Sequence, residues 1–355
     1  MRIGYSFWGF LGPGITDTPD GGRSHRRTLI DGIARSGHDV VFLQDNRDLT
    51  EAGQDLRGCY LWDQGLPGID LLFLEWRWPI TGRSTTPCGT TGHTCDLHRQ
   101  AELVSHYTLG RGLPTILWDK DRQLPPGSPL RALPNLAVCE AALRPCPGAA
   151  SLLFPVADTD LDNADPDALA ALPRPLPLVY AGNQYDRDGA FSEFFAPAAR
   201  RFTHQVAGKW TRTAGWPQAN FTGRCPFPQV AQLHRTALAT VLLLPDRYAR
   251  AGQVTQRLPE AVLAGCLPIT PATISLASMF TPASLHAASG RQVIQRVTEL
   301  QAIAGTGQHA ELIRACLQHL GIFRLSRQLA VLDQIIRRLT HDHSACRPVA
   351  APVGR

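Results

Sequence analysis

Residues 1–43 read MRIGYSFWGFLGPGITDTPDGGRSHRRTLIDGIARSGHDVVFL, and their pattern decides the fold. Ile3–Phe10 is a short apolar run, and a glycine-rich loop follows it. Arg26–Ser36 carries apolar residues at helical spacing, Gly37 is expected to close that helix with a turn, and Asp39–Leu43 is again apolar. The order strand, glycine loop, helix, strand predicts a βαβ unit with a right-handed crossover.

The same alternation continues through the first half of the chain. Further strands are predicted at Ile69–Leu74, Thr115–Trp118, Leu136–Cys139 and Leu152–Val156, with a helix at Leu97–Leu109. Continuous apolar strands that alternate with helices indicate a parallel sheet covered on both faces.

A second βα series follows a stretch rich in Asp, Ala and Pro at residues 158–177. That stretch is typical of an interdomain connection. Residues 327–340 predict an amphipathic helix near the chain end. We therefore expect an α/β protein with two Rossmann-like, doubly wound parallel-sheet domains. The predicted division is an N-terminal domain at 1–157, a linker at 158–177, a C-terminal domain at 178–325, and a final helix and tail at 326–355.

Length, charge and cysteine use narrow the class of protein. At roughly 100–200 residues per domain, 355 residues suggest two domains. The net charge of +5 comes without any run of five basic residues, so it does not by itself favour nucleic acid. No secretory signal opens the sequence, and no apolar run reaches the ~18 residues of a membrane span. With nine dispersed cysteines, these features predict a cytoplasmic protein with free thiols.

The strongest local signal is Arg257–Ile269, RLPEAVLAGCLPI, in which a helix ends at a glycine before a short strand. Glu260 lies in the first turn of that helix, where its carboxylate can accept hydrogen bonds from both hydroxyls of a ribose. Arg257 and the helix N-terminus can meet a nearby diphosphate. The structural alternative is a Glu that only complements the helix dipole, with Gly265 as an ordinary helix-ending turn.

Two weaker signals follow predicted strands. Gly182 and Asn183 end one strand and Arg187 comes shortly after, so the loop should face the ligand crevice at the carboxyl edge of a parallel sheet. Gly208 and Lys209 end another strand, and the lysine can contact a diphosphate. An ordinary left-handed turn and a solvated lysine are the structural alternatives.

Taken in order, these motifs resemble the C-terminal domain of GT-B glycosyltransferases, with the CgeB/YkvP-like branch as the nearest likeness. The resemblance rests on the Gly-Asn-x-Tyr-x-Arg pattern at Gly182–Arg187 and on the Arg-x-x-Glu-Ala-x-x-Ala-Gly-Cys-x-Pro-Ile pattern at Arg257–Ile269. It covers about residues 175–275 well. It extends in outline to the first 45 residues, through Gly21–Arg26 and Gly37–Val40.

The resemblance implies a nucleotide-sugar donor as substrate, with no separate cofactor and no metal. Glu260 would bind the ribose, and Arg187, Lys209 and Arg257 would lie near the diphosphate. The N-terminal domain would bind the acceptor, and the final helix would cross back to it. Residues 246–253 lack the additional Glu that many retaining enzymes of this fold carry, which leaves the stereochemistry open.

Candidate bases for the acceptor hydroxyl lie in the first half of the chain. Asp17, Asp20 and His25 surround the glycine loop, whereas Glu75 and Asp119 end predicted strands. We take His25, Asp20 and Asp119 as the catalytic candidates, because His and Asp are typical general bases. A helix-terminal histidine bonded to its loop is the alternative for His25, and a buried aromatic cluster is the alternative for Glu75.

Three further hypotheses remain open. Cys88, His93, Cys95 and His98 include two types of zinc ligand, but their spacing matches no familiar zinc site, and a flexible insertion is preferred. The acceptor is expected to be a small molecule or an envelope or natural-product intermediate, with modified nucleic-acid bases as an alternative that the charge does not favour. A twin-Rossmann nucleotide-sugar epimerase or binding protein is the last alternative.

Overall fold

The computed structural model describes residues 1–12, 23–80 and 96–345, which form two parallel sheets with helices on their faces. The N-terminal sheet has seven strands in the order β3-β2-β1-β4-β5-β6-β7. These strands are β1 Arg2–Ser6, β2 Asp39–Phe42, β3 Leu61–Trp62, β4 Leu71–Glu75, β5 Thr115–Asp119, β6 Leu136–Glu140 and β7 Ala150–Ser151. Chain order reverses between β1 and β4, as in a doubly wound sheet.

The C-terminal sheet has six strands in the order β10-β9-β8-β11-β12-β13. These are β8 Leu176–Ala181, β9 His204–Ala207, β10 Phe221–Gly223, β11 Ala237–Val241, β12 Leu267–Pro271 and β13 His286–Ala287. The switch point here lies between β8 and β11. The predicted fold class, two Rossmann-like parallel-sheet domains, is confirmed.

Helices cover both sheets and connect the strands. They are α1 Arg23–Arg35, α2 Arg47–Ala52, α3 Asp96–Leu103, α4 Asp158–Asp162, α5 Pro166–Ala171, α6 Asp188–Ala190, α7 Ala196–Ala199, α8 Phe227–Thr236, α9 Asp246–Ala251, α10 Arg257–Leu263, α11 Gly290–Ile303, α12 Gly307–His319 and α13 Leu325–Ala345. Two π-helical stretches, Val104–Gly110 and Phe191–Phe195, continue α3 and join α6 to α7. Four short 3₁₀ turns complete the set, at Pro129–Ala132, Ala277–Met279, Ala283–Leu285 and Leu320–Phe323.

The last helix belongs to the core of the first domain. Leu332, Ile335 and Ile336 of α13 are buried in one cluster with Ile3 of β1 and Leu29 of α1. The amphipathic face predicted from the sequence therefore packs on the N-terminal domain, and the expected crossing back is confirmed. No helix within the described residues is both long and apolar enough to cross a bilayer.

Backbone hydrogen bonds fasten the two halves to each other. The Leu143 and Arg144 amides donate to the carbonyl oxygens of Gly252 and Ala251, each at 3.0 Å. The Gln253 side chain donates to the Lys120 carbonyl oxygen at 2.6 Å. These contacts join the loop after β6 and the loop after β5 to the end of α9, so the carboxyl edges of the two sheets face one cleft.

Candidate functional site

The loops after β8 and β9 form one side of the cleft and are locked together by close packing. Gly208 has a φ of +133°, and a Cβ at this position would clash with the Gly182 carbonyl oxygen. Glycine is required there because only it permits both the angle and the approach. Asn183 accepts a hydrogen bond from the Lys209 amide at 2.8 Å, and the Lys209 side chain is exposed. The two weak sequence signals thus meet in space.

Arg187 and Gln184 brace these loops. The Arg187 guanidinium donates to the Leu243 carbonyl oxygen at 3.0 Å, and to those of Asn183 and Tyr185 at 3.3 and 2.7 Å. Within the described residues, its Nη2 group has no recorded partner. The buried Gln184 side chain accepts from the Thr211 and Arg212 amides, each at 2.9 Å. Nε and Nη1 of Arg187 therefore stabilise the loop backbone, and among its guanidinium nitrogens Nη2 remains available to a ligand.

Glu260 lies in the first turn of α10 and faces the N-terminal domain. Its Oε1 accepts a hydrogen bond from the Ser24 hydroxyl of α1 at 3.2 Å, and its Oε2 pairs with Arg257. The Glu260 side chain is 16% exposed. Each oxygen has one partner within the protein and keeps a further lone pair, so ligand hydroxyls can bond to the carboxylate beside Ser24 and Arg257 or in their place.

The N-terminal side of the cleft carries a buried ion cluster at the end of β4. Glu75 pairs with Arg26 at 2.8 Å and with Lys120 at 2.5 Å, and it accepts from the Tyr5 hydroxyl at 2.9 Å. Burial opposes ionisation of Glu75, but Arg26 and Lys120 overcome it and lower the pKa of the carboxyl to about 2. Glu75 is thus a permanently charged anchor for two cations, a different environment from the buried aromatic cluster suggested by its neighbours in sequence.

His25 points into the domain core. Its ring is 3% exposed and lies 4.3 Å from the Phe154 ring and 5.5 Å from the Trp118 ring, measured between centroids. The structure therefore places this candidate base against aromatic side chains. Asp17 and Asp20 lie outside the described residues.

Asp119 ends β5 and lines an interdomain cavity. Its two carboxylate oxygens accept the Gln123 and Leu124 amides at 2.9 and 2.8 Å. Burial raises the pKa of the Asp119 carboxyl to about 6, although these two hydrogen bonds oppose the shift. Each oxygen keeps a further lone pair. Of the candidate bases that the structure describes, Asp119 is the one among the lining residues of the two interdomain cavities.

Two cavities open between the domains. The first, about 430 Å³, lies beside α1, and Ser24, Arg27, Asp31 and Phe227 are part of its lining. The second, about 290 Å³, lies between the loops after β5 and β6 and helix α9. Among the described lining residues, neither cavity includes Gly182, Asn183, Arg187, Lys209, Arg257 or Glu260. Ser24 links the predicted donor residues to the first cavity through its hydrogen bond to Glu260.

Sequence reasoning missed several cleft residues. Ser24 and Gln253 each bond to the opposite domain, and Lys120 joins the ion cluster of its own domain. Gln253 is fully buried, and its Oε1 has no hydrogen-bond partner among the residues that the structure describes. The only available signal was position, because Ser24 begins a helix after the glycine loop and Lys120 follows a strand end.

The zinc hypothesis falls largely outside the described residues, since Cys88, His93 and Cys95 are not among them. His98 is exposed on α3. Within residues 1–12, 23–80 and 96–345, no three His, Cys, Asp or Glu side chains are grouped so as to hold a metal ion. The six cysteines in these ranges are free thiols.

Comparison with known proteins yields matches in structure but not in sequence. No protein-family model matches the chain, and no curated protein matches it. Solved structures, however, align over 96% of the chain. The β-glucosyltransferase of phage T4, crystallised with its substrate UDP-glucose, has 12% identity and a TM-score of 0.61, with 99% of its own chain covered.

Two further structures are similar to the same extent. AviGT4, a glycosyltransferase involved in avilamycin A biosynthesis, has 13% identity and a TM-score of 0.58 over 98% of its chain. HepE from Anabaena, in complex with UDP-glucose, has 10% identity and a TM-score of 0.55 over its full chain. The phage enzyme has also been crystallised with UDP and Mn²⁺. At these identities the comparison establishes a shared fold, the facing pair of domains called GT-B.

Proposed function

We propose that this protein is a glycosyltransferase that moves a sugar from a nucleoside diphosphate sugar to an acceptor hydroxyl, and that it belongs near the CgeB/YkvP-like branch. The observation that carries the proposal is the position of Glu260, which faces the other domain across the cleft with Arg257 beside it. The similar structures with bound UDP-glucose support the same class of donor.

The donor would bind by exchange of partners at Glu260. Its carboxylate would leave the Ser24 hydroxyl and accept hydrogen bonds from the two ribose hydroxyls, as charge-assisted bonds of this kind are strong. Arg257, released from its carboxylate partner, would turn to the diphosphate, together with Lys209 and the Nη2 group of Arg187. Because Gly182 and Gly208 have no side chain, the diphosphate could approach the loop backbone closely.

Asp119 is the residue that we propose as the general base. The acceptor oxygen would attack the anomeric carbon while its proton passes to Asp119. The bond from that carbon to the diphosphate oxygen would break, and the leaving group would carry the electron pair toward the cationic side chains. A single displacement of this kind inverts the anomeric configuration. His25 and Asp20 remain as candidates that a variant series can compare with Asp119.

We propose further that the cationic side chains suffice without a metal. Arg257, Lys209 and Arg187 can neutralise a leaving diphosphate as a divalent cation does in other enzymes. Because the phage enzyme was crystallised with UDP and Mn²⁺, this point needs its own measurement. Activity is expected to survive EDTA, and a loss that Mn²⁺ restores would contradict it.

The donor proposal is tested by calorimetric titration with UDP, UDP-glucose and a panel of other nucleotides. Glu260→Ala should weaken the best ligand by about 10- to 100-fold, since charged hydrogen bonds contribute about 1.5–3 kcal/mol. Glu299→Ala is the matched control, because Glu299 also pairs with an arginine three residues away but lies on α11. An unchanged affinity in Glu260→Ala, or no binding by any nucleotide, would contradict the proposal.

The acceptor is proposed to be a small molecule or a biosynthetic intermediate. The phage enzyme is a DNA-modifying enzyme, so duplex DNA is the natural comparison. With a net charge of only +5, we expect no retention of duplex DNA in a filter-binding assay at moderate salt. Tight, salt-dependent retention would favour modified nucleic-acid bases instead.

A further inference from the structure

The second interdomain cavity is lined by an unusual number of arginines. Arg122, Arg131 and Arg144 reach it from the loops of the N-terminal domain, and Arg247 and Arg250 reach it from α9. Against these five cations stand two lining carboxylates, Asp119 and Glu140. The lining therefore carries an excess of positive charge in a space of about 290 Å³.

Three of the five arginines are already paired. The fully buried Glu140 binds Arg122 and also Arg131, the latter at 3.3 Å, and Asp186 binds Arg247 at 2.7 Å. Arg144 and Arg250 are in no salt bridge within the described parts of the chain. The recorded side-chain partner of Arg144 is the Ser275 hydroxyl, at 3.0 Å. The positive charges that no carboxylate neutralises are thus those of Arg144, from the N-terminal domain, and Arg250, from the C-terminal domain.

Backbone contacts fix the positions of the segments that carry these two arginines. The Arg144 amide donates to the Ala251 carbonyl oxygen at 3.0 Å, which places the backbone of Arg144 against the residue next to Arg250. Arg122 has a φ of +55°, and the Asp119 carboxylate holds the turn around it by accepting hydrogen bonds from the Gln123 and Leu124 amides. Backbone strain at a non-glycine residue persists only where its surroundings impose it, and such positions cluster at functional sites.

Asp119 connects this cavity to the proposed reaction. It lines the same space, and its pKa of about 6 suits it to take a proton from an acceptor hydroxyl. An acceptor whose hydroxyl reaches Asp119 must place the rest of its structure among the arginines. Guanidinium groups bind planar or tetrahedral oxyanions through two parallel N–H donors.

We infer that the acceptor carries an oxyanion, a phosphate ester or a carboxylate, which Arg144 and Arg250 bind in this cavity. That the bound ligand is the sugar acceptor rests on the proposed function, whereas the oxyanion-binding site itself does not. Phosphate and carboxylate share the chemistry that the arginines recognise, and the experiment separates them.

The test is a titration at constant ionic strength with phenyl phosphate, benzoate and benzyl alcohol. The unmodified protein should bind at least one of the two anions and not the neutral alcohol. The double variant Arg144→Gln and Arg250→Gln should lose that binding by about tenfold or more, because both charged donors are gone. Arg291→Gln is the matched control, since Arg291 is an exposed arginine on α11 that does not line the cavity. Both Arg144 and Arg250 are exposed, so the double variant is expected to melt at the normal temperature.

UDP binding by the same double variant separates the two proposals. An unchanged UDP affinity with lost anion binding supports a distinct oxyanion site. A parallel loss of UDP affinity would overturn it, because the arginines would then belong to the donor. Anion binding that survives in the double variant, or that the unmodified protein lacks, would also overturn it. Arginine-dependent anion binding without any UDP binding would leave the cavity assigned and refute the donor proposal.

Discussion

The carboxyl edges of the two sheets face the same cleft, but their polar atoms are satisfied in different ways. On the N-terminal side, Glu75 is buried between Arg26 and Lys120. On the C-terminal side, glycines at 182 and 208 and the neutral Gln184 side chain hold the loops. One edge, which we call the charged edge, is built around this buried ion cluster. At the other, which we call the neutral edge, the loops after β8 and β9 are held by close backbone packing and by hydrogen bonds to backbone groups.

This difference suggests a division of roles. A ligand does not readily displace the side chains of a buried ion cluster, because separating them would leave a buried charge without a partner. A glycine-lined loop instead leaves room for a ligand's own charge. We therefore expect catalytic and acceptor groups on the charged edge and the donor diphosphate on the neutral edge. Variants on each edge test that contrast.

Asp119→Asn should produce the largest effect if the charged edge supplies the base. We expect kcat/KM to fall by about 10²- to 10⁴-fold, the usual contribution of a general base. The carboxylate must be deprotonated to act, so the rate of the unmodified enzyme should rise with pH through about 6. The pH profile of kcat/KM is the measurement, and the variant should lose that rise.

A purely structural role for Asp119 would give a different result. The variant would then be slower or less stable, because the turn at residues 119–124 would lose a hydrogen bond, but the dependence on pH would remain. Retention of the rise near pH 6 in Asp119→Asn would return the role of base to His25 or Asp20.

Glu75→Gln tests the ion cluster as a structural wall. The change leaves Arg26 and Lys120 buried without their carboxylate, and it should lower the free energy of unfolding by about 3–5 kcal/mol. Urea denaturation at pH 7 measures it. Because the folded pKa of Glu75 is depressed to about 2, its contribution is present above the unfolded pKa and is lost as pH falls toward 2. The variant should lack that loss.

The matched change on the neutral edge is Gln184→Ala. It removes an acceptor of two backbone amides, and it should cost only about 1–3 kcal/mol because no charge is left behind. If Gln184→Ala destabilises the protein as much as Glu75→Gln does, the contrast between the two edges is wrong.

Gly208→Ala should lower the free energy of unfolding by at least about 1–3 kcal/mol, and it should also weaken UDP binding. The added Cβ must move the Gly182 carbonyl group, and the residue must keep an unfavourable φ. Gly215→Ala is the control, because a Cβ there meets no atom within 4 Å. Full UDP affinity in Gly208→Ala would show that the donor does not use this opening.

Much of the fold could be predicted from the sequence because its central strands are continuous apolar runs. Asp39–Phe42 and Leu71–Glu75 could be predicted for this reason. The glycine after α1 and Glu260 in the first turn of α10 could be predicted from the patterns typical of helix ends. The two- and three-residue edge strands β3, β10 and β13 are too short to show a period, and the sequence did not predict them.

One predicted strand was wrong. Residues 152–156 are apolar and mostly buried, but strand β7 ends at Ser151. The Leu153 amide donates to the Gln328 side chain of α13, and Val156 forms an isolated bridge with Arg324. Burial against the last helix produced the same apolar run that a strand would.

The contacts of the site were harder to predict, since the residues that pair there are distant in sequence. Nothing local indicates that Ser24 bonds to Glu260, 236 residues away, or that Lys120 joins Glu75.

We expect a nucleotide sugar to bind between the domains with its ribose on Glu260. A crystal structure with UDP bound tests it most directly. Both ribose hydroxyls should lie within about 3.2 Å of the Glu260 carboxylate, with the Ser24 hydroxyl displaced from it. UDP bound elsewhere, with the bond between Ser24 and Glu260 intact, would contradict it.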